Sequence, residues 1–265
     1  MRIGVISTVL LLGLTLACGG GGNTPISGSQ VSGAYEFVVT SNVTGGITLV
    51  EANLTASGSQ SSAKGPSQVQ ILTKENKIWY VNGICFGATP GQNSLAANLS
   101  GNNIGVTFNE GGNSFSGEGV LTGTTVTGNY SVSNSKCPDL INVVGSPAGF
   151  DSGGFIGNQV PALNGGFSGQ LTLPSGTDNA ALTLTEAKDK TLKVIAALNG
   201  PVDNGSYTFS GNAIGNVMFI SGTVAGKALS LLGYYDLTGA YTGTAKSLMV
   251  FDYETLANVG LLLKQ

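Results

Sequence analysis

From Val31 onward apolar and polar residues alternate. Tyr35, Phe37 and Val39 are interleaved with Glu36, Val38 and Thr40. Val50, Ala52, Leu54 and Ala56 are interleaved with Glu51, Asn53 and Thr55, and Leu192, Val194, Ala196 and Leu198 with Lys193, Ile195 and Ala197. A period of two sends the two sets to opposite faces of a pleated strand. No stretch after residue 30 has the 3.6-residue period of a helix. Thr, Val, Ile, Tyr and Phe fill these runs, and Gly, Asn and Ser interrupt them about every 8–12 residues, the spacing of hairpin-built barrels and sandwiches. The pattern predicts an all-β chain of antiparallel up-and-down meanders.

The meander is written twice. Leu99-Ser100-Gly101-Asn102-Asn103-Ile104-Gly105 matches Phe209-Ser210-Gly211-Asn212-Ala213-Ile214-Gly215. Lys74-Glu75-Asn76-Lys77 is echoed by Lys188-Asp189-Lys190, Val81-Asn82-Gly83 by Leu198-Asn199-Gly200, and Ser116-Gly117-Glu118-Gly119-Val120 by Ser221-Gly222-Thr223-Val224. The order is kept, which predicts two tandem β-barrel or barrel-like domains of about eight strands each, at residues 31–150 and 160–265. Residues 151–159, rich in Gly and Ser, read as the linker. Ser59 to Gln70 reads as an insertion in copy one, and it leaves the register over 47–73 open. Asn102-Asn103 and Asn212-Ala213 fall where tight turns are expected, since Asn tolerates the left-handed backbone; a shared ligand site is the alternative. The residues expected inside copy two are Leu182, Leu184, Leu192, Val194, Val217, Phe219, Leu229 and Leu231. Copy two has no cysteine and is expected to fold on this core alone.

The N-terminus reads as an address. Met1 and Arg2 precede an apolar run from Ile3 to Leu16, the length of a signal-peptide core and too short for a membrane-spanning helix of about 20 residues. Thr15-Leu16-Ala17-Cys18-Gly19 follows and resembles the bacterial lipobox, with Thr15 standing where Leu is usual. The resemblance implies a signal peptide at 1–17, lipid attachment at Cys18 and, with Gly19 rather than Asp after the cysteine, the outer membrane. Palmitate-type chains on Cys18 would be the link to the membrane; two or more suffice for stable anchoring. Residues 18–30, largely Gly, Ser and Asn, form a flexible tether.

Three further segments carry a family resemblance: Ala52-Asn53-Leu54-Thr55-Ala56-Ser57-Gly58, Val106-Thr107-Phe108-Asn109-Glu110-Gly111-Gly112, and Val160-Pro161-Ala162-Leu163-Asn164-Gly165-Gly166-Phe167-Ser168-Gly169. With the lipobox and the Gly-rich tether, the chain resembles the Gly/Thr/Ser-rich two-repeat β-barrel lipoproteins of acidobacterial type. That resemblance implies a lipid anchor, two meander domains and a cysteine pair in the first. It carries no established activity.

Composition removes whole chemistries. Among 265 residues there is no His, the only arginine is Arg2, and 11 basic residues face 14 acidic ones. Histidine-dependent triads, dyads and metal sites are excluded, and so is the basic face that nucleic acid requires. Cys85 and Cys137 read as a disulfide in an exported chain, worth about 4 kcal/mol by loop entropy; a reactive thiol pair or a metal site is the alternative. Zinc would lack further soft ligands, and no calcium-binding loop motif occurs, so neither metal nor cofactor is implied. Asp178-Asn179 and Asp203-Asn204-Gly205 sit in turn contexts. Glu36, Glu51 and Glu118 lie inside strand patterns and are expected to face solvent, although two carboxylates meeting in space would serve a glycosidase. Trp79-Tyr80 and Tyr234-Tyr235 should each split between a core face and an outer face, where cross-strand packing is the expected use and sugar binding the alternative.

These features predict a non-enzymatic, lipid-anchored envelope protein of structural or binding type with no catalytic residues. The alternative is a lipocalin-like carrier of a small apolar ligand; a carboxylate-based hydrolase comes third. Large residues filling the barrel would favour the first reading, and small residues around a void the second.

Overall fold

The computed structural model describes residues 32–42, 47–56, 62–65, 70–73, 78–80, 94–100, 103–110, 113–133, 150–201, 203–240, 242–255 and 257–265. The expected signal peptide, the tether with Cys18, and the pair Cys85 and Cys137 lie outside the described residues. Every element among those described is a β-strand, as the alternation predicts.

The first sheet contains β1 (Gly33–Ser41), β2 (Ile47–Ala56), β3 (Ser62–Gly65), β4 (Gln70–Thr73), β5 (Ile78–Tyr80), β6 (Ser94–Ser100), β7 (Asn103–Glu110), β8 (Asn113–Thr122), β9 (Thr125–Ser133) and β10 (Phe150–Val160). Their order is β1-β10-β9-β8-β7-β6-β3-β2-β4-β5. β1 also pairs with β2, from Gly33↔Leu54 to Thr40↔Ile47, so the ladder from β1 round to β2 returns on itself. The register left open by the sequence is settled here. The first half of β2 pairs with β4 (Thr48↔Thr73 to Glu51↔Gln70) and its end with β3 (Thr55↔Lys64). The segment read as an insertion therefore supplies a ladder strand, β3, and the added piece is the β4–β5 hairpin.

The second sheet is a closed antiparallel barrel in sequence order: β11 (Gly165–Leu173), β12 (Gly176–Glu186), β13 (Thr191–Asn199), β14 (Asn204–Ile214), β15 (Val217–Val224), β16 (Lys227–Asp236), β17 (Ser247–Asp252) and β18 (Asn258–Lys264). It closes through Phe167↔Lys264 to Leu171↔Gly260. On β12 and β13 every second residue is buried. Leu182, Leu184, Leu192, Val194, Leu229 and Leu231 point inward as expected, in one cluster with Phe167, Phe209, Met218, Ile220 and Tyr235. Val217 and Phe219 do not join them. They lie on the outer side of β15, against Leu232, Tyr234, Met249, Phe251 and Val38. Apolar residues occupy both faces at the start of β15, so alternation alone could not assign its parity.

The linker expected at 151–159 is instead β10, paired with β1 from Ala34↔Val160 to Ser41↔Gly153 and with β9 from Phe150↔Ser133 to Asn158↔Thr125. Its alternation is hidden because two of its buried positions are Gly153 and Gly157. A Cβ at Gly157 would overlap the Phe37 ring, and one at Gly153 would meet the Thr40 carbonyl and the Tyr130 ring. Bulk supplied by neighbouring strands replaces bulk on β10, with Phe155 meeting Phe37 edge-on at 5.8 Å. The true connection is residues 161–164. Leu163 within it is 0 % exposed and belongs to the barrel core. Its N–H donates to Glu186 Oε2 at 2.6 Å, and the Glu186 N–H donates to Asn164 Oδ1 at 2.7 Å.

The expected turn at Asn212-Ala213 is also corrected: both residues are in β14, and the turn is Gly215-Asn216. Gly215 takes φ of 56° and Asn216 is not at positive φ, the pattern of a type II′ hairpin turn.

Candidate functional site

The β14–β15 turn is where the two sheets meet, and the meeting is polar. On β1 and β2, Glu36 and Glu51 are direct cross-strand partners. The strand period that puts Tyr35, Phe37 and Val39 inside the first ladder puts Glu36 and Val38 outside it, and Glu51 and Asn53 share that outer side of β2. The turn then seats on this side. Asn53 Nδ2 donates to the Ala213 carbonyl at 2.7 Å, and the Gly215 N–H returns to Asn53 Oδ1 at 3.1 Å. The Asn216 N–H donates to Glu51 Oε2 at 2.8 Å, and Asn216 Nδ2 to Glu36 Oε2 at 3.0 Å. From β16 the Tyr234 hydroxyl donates to the same Glu36 oxygen at 2.8 Å. Close approach needs glycine at 215, since a Cβ there would overlap Glu51 Oε2 and crowd the Tyr35 carbonyl.

Glu51 is 0 % exposed. Burial pushes its carboxyl well above the usual carboxylate range, and the neighbouring Glu36 charge adds to the rise. The Asn216 backbone hydrogen bond works against it. The Tyr234 hydroxyl is pushed upward too, by burial first and then by Glu36, Glu51 and Asp236. Glu51 Oε1 and Asn216 Oδ1 are buried and accept no hydrogen bond. Glu36 is half-buried and Glu118 is exposed, so of the three strand glutamates one meets the solvent-facing expectation and Glu51 overturns it. The alternation gave its face correctly; the burial comes from a barrel that covers this face. Tyr234 and Tyr235 do lie on opposite sides, but both are buried, Tyr235 in the barrel core and Tyr234 in the joint. Trp79 and Tyr80 are on β5, and their side chains lie outside the described residues.

A second carboxylate pair sits at the other end of the barrel. Asp178 and Asp203 are 1 % and 3 % exposed. The Asp203 N–H donates to Asp178 Oδ2 at 3.2 Å, and Ser175 Oγ donates to Asp203 Oδ2. An opening of about 60 Å³ beside Ser175, Asp203 and Lys227 leads toward them. The barrel interior itself is full: the void bounded by Leu171, Leu182, Leu198, Phe209, Ile220 and Leu231 holds about 10 Å³, close to the minimum for a single water.

The joint can hold charge and hydrogen bonds, but it gives a substrate no access to Glu51 unless the two sheets part. Among the described residues no group of three or more Asp, Glu, Cys or His side chains comes together to hold a metal. Sequence reasoning missed Asn53 and Asn216 as members of the site. Their one visible signal was the Gly215-Asn216 turn dipeptide. Comparison with protein-family models and with curated proteins finds no match to this chain.

Proposed function

We propose that this chain is a lipid-anchored cell-envelope protein of structural or binding type, without a catalytic site, built from two tandem barrel units joined where Glu36, Glu51 and Asn53 meet the Gly215-Asn216 turn and Tyr234. The packed barrel interior is the observation that carries this reading over a carrier. A void of about 10 Å³ is far below the roughly 300 Å³ or more of a small-molecule pocket. Support for the same reading in the first unit comes from buried Tyr35, Phe37, Tyr130 and Phe155 on the inner sides of β1, β9 and β10. The carboxylate pair that a hydrolase would need is instead committed to Asn216 and Tyr234. Anchoring rests on the Cys18 motif, and the tandem arrangement on the returning ladder of β1 to β10. Metabolic labelling with a palmitate analogue tests the anchor: label on the wild type and none on Cys18→Ala is expected, and equal labelling of both refutes it. Native mass spectrometry of the protein from its own membranes tests the rest. Expected is the acylated chain with no apolar molecule bound; a stoichiometric apolar ligand would restore the carrier.

A further inference from the structure

The joint between the sheets is an acceptor cluster short of positive partners. Two carboxylates, Glu36 and Glu51, stand side by side, and two buried oxygens, Oε1 of that Glu51 carboxyl and Oδ1 of Asn216, accept nothing, on residues 0 % and 1 % exposed. The donors identified in the joint are directed to other atoms: the Asn216 N–H to Glu51 Oε2, Asn216 Nδ2 and the Tyr234 hydroxyl to Glu36 Oε2, and the Gly215 N–H to Asn53 Oδ1. Among the described residues no lysine or arginine pairs with either glutamate. Buried charge is tolerated when it is paired or coordinates a metal, and without either it is removed by a proton. We propose that this cluster binds one divalent cation of the calcium class, with Glu51 Oε1, Asn216 Oδ1 and the Glu36 carboxylate as ligands.

The chemistry selects that class. All the donors are hard oxygens, two of them carboxylates whose charge a divalent ion cancels. Calcium accepts irregular sets of carboxylate, amide and water oxygens, whereas magnesium demands a near-ideal octahedron. Water can complete the shell past half-buried Glu36. The Asp178–Asp203 pair lacks this opportunity. Its orphaned oxygen, Asp178 Oδ1, is crowded by Gly200, where even a Cβ would overlap it. Once bound, the ion would fasten β1 and β2 to the β14–β15 turn.

The full-length protein, stripped with EDTA, is melted with and without CaCl2 at constant ionic strength, and separately titrated with Tb³⁺, read through tyrosine-sensitised luminescence. Tyr234, bonded to Glu36, is the expected sensitiser. At a calcium concentration about 100-fold above Kd, Tm should rise by about 5 °C or more, and calcium should displace Tb³⁺ bound at one ion per chain. Glu51→Gln keeps an acceptor for the Asn216 N–H, and Glu36→Gln keeps the side-chain length; each should weaken Tb³⁺ binding at least tenfold. Urea unfolding and near-ultraviolet circular dichroism establish that both variants are folded. A wild-type Tm unmoved by about 10 mM calcium, well above the range of extracellular calcium modules, overturns the proposal. So does a shift retained in both variants, or a joint that responds to pH alone, which would assign the orphaned oxygens to a proton.

Discussion

Glu51 shows how one side chain can be read correctly for direction and wrongly for environment. Its partners on β2 fix the face, and only the arrival of the Gly215-Asn216 turn makes that face an interior. Burial raises its pKa in the fold above the ordinary value of 4.5, so the folded state holds the proton more tightly than the unfolded chain does. This contribution to stability is complete below the ordinary value and is lost as pH rises through the folded-state pKa. In EDTA, the unfolding free energy of the wild type from urea titrations should therefore fall as pH rises above 4.5, by up to about 1.4 kcal/mol per pH unit, and Glu51→Gln should flatten the profile. Glu51→Ala removes the acceptor of the Asn216 N–H and should cost about 1–3 kcal/mol more than Glu51→Gln at pH 5. Gly157 makes the complementary point about volume. Gly157→Ala should destabilise by about 1–3 kcal/mol through collision with Phe37, and Phe37→Leu in the same chain should return part of that loss in urea titrations.

Strands were legible where one face met a core and the other met water. On β12 and β13 every second residue is buried along the whole element, with Ala180, Leu182, Leu184, Leu192, Val194, Ala196 and Leu198 on the inward side as the pattern predicts, although Asp178 is buried in line with them and Ile195 faces outward. It fails on β10, where glycines take inward positions, and on β15 to β17, where the outer face is covered as well; on β17 the run Ser247 to Phe251 is buried throughout. The internal repeat misled in a related way. Leu99 to Gly105 spans the β6–β7 turn, while its match, Phe209 to Gly215, runs four positions deeper into a strand before turning, so like sequence occupies unlike structure. The parity of β15 is open to direct test. Ile220→Ala, inside the barrel, should cost about 2–5 kcal/mol. Phe219→Ala, half-exposed against Tyr253 at 6.3 Å, should cost less than half as much by urea unfolding.

At the scale of the molecule, the outer surface of β15 to β17 ties the barrel to the first sheet. A fragment of residues 161–265 keeps all eight barrel strands and should melt cooperatively, but it uncovers Val217, Leu232, Tyr234, Met249 and Phe251. Sedimentation velocity should then find it self-associating at concentrations where the full chain is monomeric; a monomeric fragment would mean that this patch tolerates water. The two-sheet plan was legible from the repeat and the period, whereas the joint was not, because it is made of side chains from opposite ends of the chain. The reassignment of residues 150–160 from linker to strand has a kinetic consequence. Ala34 bonds across to Val160, the last residue of its sheet, so β1 and β2 can form a hairpin as soon as they emerge but must wait for nearly the whole first sheet before their other flank is covered. Such non-local closure is slow. As the chain emerges N-terminus first, the flank of β1 stays an open edge, and β10 is both the strand that seals it and the one that, three residues later, delivers Leu163 to the barrel core. Completion of the first sheet and nucleation of the second are thus timed by the same short stretch of chain.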